Sequence, residues 1–370
     1  MTPFLDLRQA TAELRGEIDA AIARVLNSGR YIQGPEVEAF ESEFAACCGA
    51  RHCVGVASGL DALTLLLRAL GIGEGDDVIV PSNTYIATWL AVSAAGARPV
   101  PVEPDPASYN LDPERAERAL TRRTRAILAV HLYGQAAAMR ELGAIAGRRG
   151  IHLIADAAQA HGVPLAGCAS AFSFYPSKNL GALGDGGAVV TDDAGLAARV
   201  RVLGNYGSRE KYRHEIRGVN SRLDPLQAAV LRVKLRHLAA WNRRRREIAA
   251  RYCAGLAQIP QLILPRLAAG CDAVWHIFAV RHPQRDALAR RLRQQGIETL
   301  IHYPVPPHLA GAYRDAGFRP GDFPLAEEIA ATELSLPLHP HMTAEQVDDV
   351  IGAVCLAAGL PAGAFSMAAS

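Results

Sequence analysis

HCVGVASGLDALTLLLRALG, residues 52–71, decides the fold. HCVGVAS (52–58) is a short apolar run that reads as a buried strand, and DALTLLLRALG carries apolar residues at helical spacing. Ser58 and Gly59 stand at the junction. The couplet recurs along the chain. DDVIVPS (76–82) precedes TYIATWLAVSAAG, PVPVEP (99–104) precedes DPERAERALT, and RAILAVHLYG (125–134) precedes AMRELGAIAGRRG. IHLIAD (151–156) follows as a further strand. Such alternation predicts an α/β fold with a mostly parallel central sheet between helices. AFSFYPSK and GGAVVTD (186–192) read as two more strands, and a hairpin-like pairing there makes part of the sheet antiparallel.

The pattern changes at Asp224. DPLQAAVLRVKLRHLAAWNRRRREIAARYCAGL keeps helical spacing for too long to be one ordinary helix, and reads as a long helix or helix pair leading to a second unit. WHIFAVR and then RDALARRLRQQGIETLIHYP predict strand, helix, strand. The expected division is an N-terminal arm and large domain over 1–240 and a smaller C-terminal α/β domain over 241–370. The tail PAGAFSMAAS is expected to fray.

Composition narrows the function. A net charge of +2, with no basic stretch interleaved with aromatics, argues against a nucleic-acid partner. The basic run Arg243–Arg246 reads as a solvated helix face. The seven cysteines, Cys47, Cys48, Cys53, Cys168, Cys253, Cys271 and Cys355, form no C-x-x-C pair. This fits a reducing compartment without disulfides or a metal cluster. Neither a signal peptide nor a membrane span is visible, so the expected location is the cytoplasm. GIGEGD (71–76) follows a helix rather than a strand and is no dinucleotide fingerprint.

Three strand ends carry the chemistry, because ligands of parallel sheets bind beyond the carboxyl ends of the strands. Ser58 and Gly59 open a helix whose N–H groups and dipole suit a phosphate, although Ser-Gly there is also an ordinary cap. Asp156 ends a buried strand, with Gln159 three residues on. In FSFYPSKNLGALGDGG (172–187), Phe172 and Phe174 alternate with Ser173, and Lys178 follows in a glycine-broken loop. Lys178 is the only lysine in the first 200 residues of a chain otherwise rich in arginine. A lysine amine can shift its pKa and act as a nucleophile, whereas arginine cannot. An aldehyde-binding lysine, a carboxylate for a ring nitrogen and an anion seat together match one cofactor, pyridoxal 5'-phosphate.

The chain resembles the DegT/DnrJ/EryC1/StrS sugar aminotransferases of fold type I, over nearly its whole length. The resemblance runs from PFLDLR (3–8) and SGRYIQGPEVEAFESEFA (28–45) to LSLPLHPHM (334–342). It is carried most specifically by DAAQAHG (156–162), FSFYPSKNLGALGDGG, GVNSRLDPLQAAVLRVKL (218–235) and TLIHYPVPPHL (299–309). The resemblance implies Lys178 as the Schiff-base lysine, Asp156 as the ring-nitrogen partner and Gln159 near the ring's 3-hydroxyl. It further implies phosphate contacts from Ser58, Gly59 and Ser173, and Tyr85 stacked on the ring. Asn220 would reach the cofactor of a second subunit, which makes the active unit a homodimer with sites at its interface. Three positions depart from the usual pattern: Leu60 stands where many members have Thr, Ala155 replaces a common Glu, and the stretch between Gly162 and Ala171 is short.

On this resemblance the expected reaction moves an amino group from L-glutamate to a dTDP-linked 3-keto-6-deoxyhexose. Leu60 with SNTYIATWLAVSA (82–94) looks most like the subgroup that aminates C3; a C4-specific enzyme is the alternative. Candidate substrate residues are His302 and Tyr303, Lys211 and Tyr212 in the loop 205–220, and Arg222, each of which has a packing or solvated-surface reading as well. A sugar dehydratase of the same fold lacks the lysine, so Lys178 argues against it. A non-enzymatic sensor of the same fold has no need of the complete Lys–Asp–Ser set.

Overall fold

The computed structural model describes residues 1–164, 169–268, 271 and 273–359. The tail 361–370 and part of the short 162–171 stretch lie outside them. Three helices lead in, α1 (Leu7–Glu13), α2 (Arg15–Ser28) and α3 (Pro35–Cys47). The alternating segment follows: β1 (His52–Val56), α4 (Gly59–Ala69), β2 (Asp77–Pro81), α5 (Ile86–Ala94), β3 (Arg98–Val102), α6 (Pro113–Arg118), β4 (Thr124–Val130), α7 (Met139–Arg149) and β5 (His152–Asp156). Then come β6 (Ala169–Ser173), β7 (Gly187–Thr191), α8 (Ala194–Gly204) and the short hairpin strands β8 (Ser208–Glu210) and β9 (Arg213–His214). The rest comprises α9 (Pro225–Leu235), α10 (Leu238–Leu256), β10 (Phe278–Arg281), α11 (Arg285–Gln294), α12 (Pro324–Thr332), β11 (Glu333–Leu336) and α13 (Ala344–Ala357).

Strands β1 to β7 form one sheet in the order β1-β7-β6-β5-β4-β2-β3. β7 runs antiparallel to both neighbours, and the other pairings are parallel. β1 therefore points the same way as β6, and the carboxyl ends of β1, β2, β4, β5 and β6 share one edge. The sheet buries both faces through the two-residue alternation of its strands. Val78, Val80, Ala126 and Leu128 face a core shared with Leu63, Leu66 and Trp89 of α4 and α5. Ile79, Ile127 and Ala129 face Leu142 and Ile145 of α7 on the other side. Phe172 and Phe174 pack with Phe40 and Phe44 of α3, while Ser173 between them is half-buried.

The long helical stretch is a helix pair that breaks at Arg236–His237, and α10 runs on across residues 240 and 241. A second core gathers α10, α11, α13, β10 and β11. Two expectations fail here. The stretch TLIHYP forms no strand; β10 pairs antiparallel with β11 instead, and Leu300 makes one isolated bridge to Ser335. Pro304, Pro306 and Pro307 lack the N–H that a ladder needs. The basic run is not wholly solvated either. Helical period puts Arg245 on the buried face with Trp241 and Ile248, and its Nη1 donates to the carbonyls of Trp275 (3.1 Å) and Leu338 (2.9 Å).

Candidate active site

The loop after β6 is closed by its own backbone. Phe174 N donates to Gly186 O at 2.7 Å, Ala182 N to Phe174 O at 2.8 Å, and Lys178 N to Tyr175 O at 2.9 Å. A Cβ at Gly181 would lie 2.2 Å from the Pro176 carbonyl oxygen, so the turn is built for glycine. This fold-back directs Lys178 inward. Desolvation lowers its amine from 10.5 to about 8, and the attraction of Asp156 offsets part of that change. Asn179 Nδ2 anchors the next position by donating to Asn242 Oδ1 (3.0 Å) and Val274 O (2.9 Å), while its Oδ1 meets His276 Nδ1 at 3.1 Å.

Asp156 ends β5 and is buried. Its Oδ2 accepts from Thr88 Oγ1 at 2.9 Å and its Oδ1 from Ala158 N at 3.1 Å. Desolvation nevertheless raises the carboxyl above its ordinary value, against those hydrogen bonds and the charge of Lys178. The group is thus a buried acceptor still short of positive charge. Thr88 is held in turn by Thr84, their hydroxyl oxygens 2.9 Å apart.

At the end of β1, Ser58 caps α4, its Oγ accepting from Asp61 N at 3.1 Å. The capping role does not exclude an anion there, since a cap leaves the other N–H groups of the first turn free. Gly59 and Ser173 meet here: a Cβ on Gly59 would come within 2.6 Å of Ser173 Cβ. A Cβ on Gly187 would lie 2.3 Å from the Ser58 carbonyl oxygen. Leu60 packs against the main core. Ser221 closes the back of this turn, its Oγ donating to Asp61 Oδ2 at 2.6 Å and accepting from Ala57 N at 3.1 Å.

The opposite wall comes from the segment after α11. Tyr85, 53% exposed, has its ring 5.0 Å from that of Tyr303. Gln159 joins the walls: its Nε2 donates to the Tyr303 hydroxyl at 2.9 Å, and its Oε1 accepts from Tyr133 N at 2.6 Å. The Tyr133 hydroxyl donates to the His302 carbonyl. His302 Nδ1 lies 2.8 Å from Ser335 Oγ, and burial together with the Lys178 charge lowers its ring to about 4. Lys178, Asp156, Gln159, Tyr85, His302 and Tyr303 thus converge on the common edge of the sheet.

The remaining candidates lie in the 205–222 segment, where their contacts are local. Arg222 Nη1 donates to Asn205 Oδ1 at 3.1 Å, and its guanidinium lies 5.6 Å from the Tyr206 ring. Lys211 Nζ lies 5.1 Å from the ring of Tyr212, which is 82% exposed. Asn220 is exposed and bridges Asn205 through its backbone. Sequence reasoning missed Thr88, His276, Glu333 and Ser335. Nothing in their local patterns marks them, because each reaches the site through tertiary packing.

At this edge a partly buried lysine faces a buried carboxylate beside a helix N-terminus. The model of the DegT/DnrJ/EryC1/StrS aminotransferase family matches residues 12–355. The chain belongs to that family. A dTDP-3-amino-3,4,6-trideoxy-alpha-D-glucose transaminase of Streptomyces venezuelae is 58% identical over 359 residues, 95% of each chain. The erythromycin biosynthesis sensory transduction protein EryC1 of Saccharopolyspora erythraea is 58% identical over 356 residues, 94% of this chain and 97% of that one. The crystal structure of S. venezuelae DesV, in complex with a ketimine intermediate, superposes with a TM-score of 0.96 at 57% identity, covering 97% of this chain and 98% of that one.

Aminotransferases of the family are pyridoxal-phosphate enzymes, and the residues here fit that cofactor. Lys178 would hold its aldehyde, and Asp156 would supply the anion that a protonated ring nitrogen needs. The first turn of α4 with Ser173 would receive its phosphate. Gly59 and Gly187 let the start of α4 lie directly against β6 and β7, where a Cβ would strike Ser173 or the Ser58 backbone.

Proposed function

We propose that this aminotransferase moves an amino group from L-glutamate to C3 of a dTDP-linked 3-keto-6-deoxyhexose. The observation that carries the reading is Lys178, an amine brought to about 8 by burial and set against the Asp156 carboxylate. When bound, the cofactor supplies an electron sink that stabilises charge at the carbon losing its proton. The chain's own part is proton movement and positioning. Near neutral pH, Lys178 Nζ stands close to both protonation states, so it can take a proton as base and return it as acid. Asp156, fixed by Thr88 and Ala158, would favour positive charge on the ring nitrogen. Gln159 and Tyr303 form one hydrogen-bonded wall, and Tyr85 covers the site from its solvent side.

The choice of C3 is supported by the names of the relatives and by Leu60. The Streptomyces relative is named for a 3-amino sugar, as is a dTDP-3-amino-3,6-dideoxy-alpha-D-galactopyranose transaminase of Aneurinibacillus thermoaerophilus, 52% identical over 361 residues. One relative carries the name of a sensory transduction protein. The intact Lys178–Asp156 pair favours catalysis over sensing alone, because binding needs no proton-moving amine.

The working unit in this reading is a homodimer. Tyr85, Tyr175, Leu183, Tyr206, Ile216 and Val219 are all at least 40% exposed, near or flanking the site and the 205–220 segment. Asn220, Lys211 and Tyr212 would then serve the site of a second copy, with Arg222 steadying their segment. The division into 1–240 and 241–370, and a cytoplasmic location, complete the reading. Among the described residues no helix is long and apolar enough to cross a membrane, no group of residues could hold a metal ion, and six cysteines are free; Cys168 lies outside them.

The test is the absorbance spectrum of the cofactor-loaded protein before and after L-glutamate. A near-visible band giving way to a shorter-wavelength one is expected. A band that forms but ignores glutamate would remove the donor assignment, and incubation of the aminated enzyme with the dTDP-3-keto-sugar should restore the first band.

A further inference from the structure

Glu333 opens β11 and is almost wholly buried, 1% exposed, yet the chemistry above leaves it without a role. Its Oε2 accepts the His302 backbone N–H at 2.6 Å, and its Oε1 accepts from Ser335 Oγ. Ser335, two residues on along the same strand face, lies 2.8 Å from His302 Nδ1. A carboxylate, a hydroxyl and an imidazole therefore form one closed chain between β11 and the segment 300–303. His302 Nε2 has no hydrogen-bond partner among the described residues, and its residue is only partly buried.

A serine has one hydroxyl proton, so the chain has a direction. With Glu333 ionised, both carboxylate oxygens accept, Ser335 donates to Oε1, and Nδ1 of His302 must carry the ring proton to donate to Ser335. Nε2 is then a bare acceptor. With Glu333 protonated, Oε2 still has to accept the His302 backbone N–H, so the proton sits on Oε1 and donates to Ser335. The serine then donates to Nδ1, and the ring proton moves to Nε2.

We propose that Glu333, acting through Ser335, sets which nitrogen of His302 carries the proton, and so whether Nε2 offers the nucleotide sugar an acceptor or a donor. Glu333 and Ser335 are positioning residues for His302; the consequence for the sugar rests on the reading that His302 faces it. Of the charged groups around the chain, Arg285 opposes the rise of the Glu333 carboxyl, while Arg281 is engaged elsewhere. Arg281, opposite Glu333 on β10, turns its Nε to Thr332 Oγ1 at 2.8 Å and its Nη2 to Glu328. Arg285 of α11 donates to the Glu333 backbone carbonyl at 2.8 Å and pairs with Asp286. The hydroxyls of Tyr109, Tyr133 and Tyr303 feel the Glu333 charge, while Lys178 and His276 face His302. Desolvation raises Glu333 to about 8, and His302 stays neutral above about 4, so the two directions exchange within the stable range of the protein.

The test is the ring-nitrogen spectrum of the cofactor-loaded full chain labelled with 15N-histidine, with the His302 signals assigned by their loss in His302→Asn. Wild type is expected to show the Nε2–H form at pH 6.5 and the Nδ1–H form at pH 9. Glu333→Gln should hold the Nε2–H form at both, because the amide oxygen must face the His302 N–H and its NH2 must face Ser335. Ser335→Ala should abolish the pH dependence, and it carries the test if the glutamine variant does not fold. A tautomer indifferent to pH and to Ser335→Ala overturns the proposal.

The second arm is KM for the dTDP-sugar. Between pH 6.5 and 9 it should change by roughly tenfold more in wild type than in Glu333→Gln, as expected for one reversed hydrogen bond. A tautomer that follows Glu333 while KM does not would overturn the sugar-facing role and leave the relay standing.

Discussion

Of the three lysines in the chain, Lys211 is on the surface and Lys234 spends its amine on the Gly181 carbonyl at 2.7 Å. Lys178 alone faces a buried carboxylate. Lys178→Ala should lower transamination by at least about 10²–10⁴-fold, the usual worth of a positioned acid–base group. The loop is held by backbone bonds, so circular dichroism and the oligomeric state should not change. Turnover retained within tenfold would contradict the role given to this amine. Thr88→Val asks a finer question. It deletes the donor to Asp156 Oδ2 at nearly constant volume. A hydrogen bond to a charged group is worth about 1.5–3 kcal/mol, so kcat should fall by roughly 10–100-fold. The carboxyl should rise further, weakening its hold on a protonated ring nitrogen, and cofactor affinity should drop in parallel. A variant with unchanged cofactor affinity would mean that Ala158 alone suffices.

At the scale of elements, the seat at the mouth of the sheet depends on how closely β1, β6 and β7 approach α4. Gly59→Ala would place a methyl 2.6 Å from Ser173 Cβ and 3.1 Å from its Cα, so relief requires β6 and α4 to separate. Overpacking of this kind costs about 1–3 kcal/mol. The expected result is weaker retention of pyridoxal phosphate on dialysis, by roughly tenfold or more, with a smaller loss of thermal stability in the cofactor-free protein. The strands that make this seat were readable one by one, because each is a short apolar run bounded by polar or turn residues. HCVGV, DVIVP and HLIAD became β1, β2 and β5 within a residue or two of their expected ends. Their order was not readable: β7 inserts between β1 and β6 through pairings more than a hundred residues apart in the case of β1. Lys178, Asp156 and Gln159 stood out because strand-end chemistry is local. Thr88 and Glu333 did not, since one lies inside an apolar helix and the other starts a strand that looks purely structural. The same blindness explains the missing strand at TLIHYP, where polar contacts of His302 to Glu333 and Ser335 replace the ladder its apolar residues suggested.

Across the whole molecule, burial has collected neutral histidines. His131, His302 and His339 are each lowered to about 4 and His161 to about 3, in every case chiefly by desolvation. In the unfolded chain each titrates near 6.5. Below 6.5 the unfolded state therefore binds protons that the folded state refuses, and stability falls as pH drops from 6.5 towards 4. Glu333 has the opposite sign. Raised from 4.5 to about 8, it keeps its proton on folding, so its contribution is full below 4.5 and fades as pH rises to 8. The lowered histidines, His276 among them, outnumber the raised carboxyls Glu333, Asp156 and Glu103 and make the acid side the steep one. A tenfold loss of proton affinity on folding is worth about 1.4 kcal/mol, so each histidine costs on the order of 3–5 kcal/mol once fully opposed. Together they rival the ordinary net stability of about 5–15 kcal/mol. Urea unfolding followed from pH 7.5 downwards should show little change to about pH 6.5 and then a falling midpoint, with cooperative unfolding between about pH 5 and 4. His161 sits among the rings of Phe44, Phe172 and Phe174, so His161→Phe tests the cause. It should leave stability near pH 7.5 little altered and move the acid transition to lower pH; a transition that stays in place would assign acid unfolding to the surface carboxylates instead.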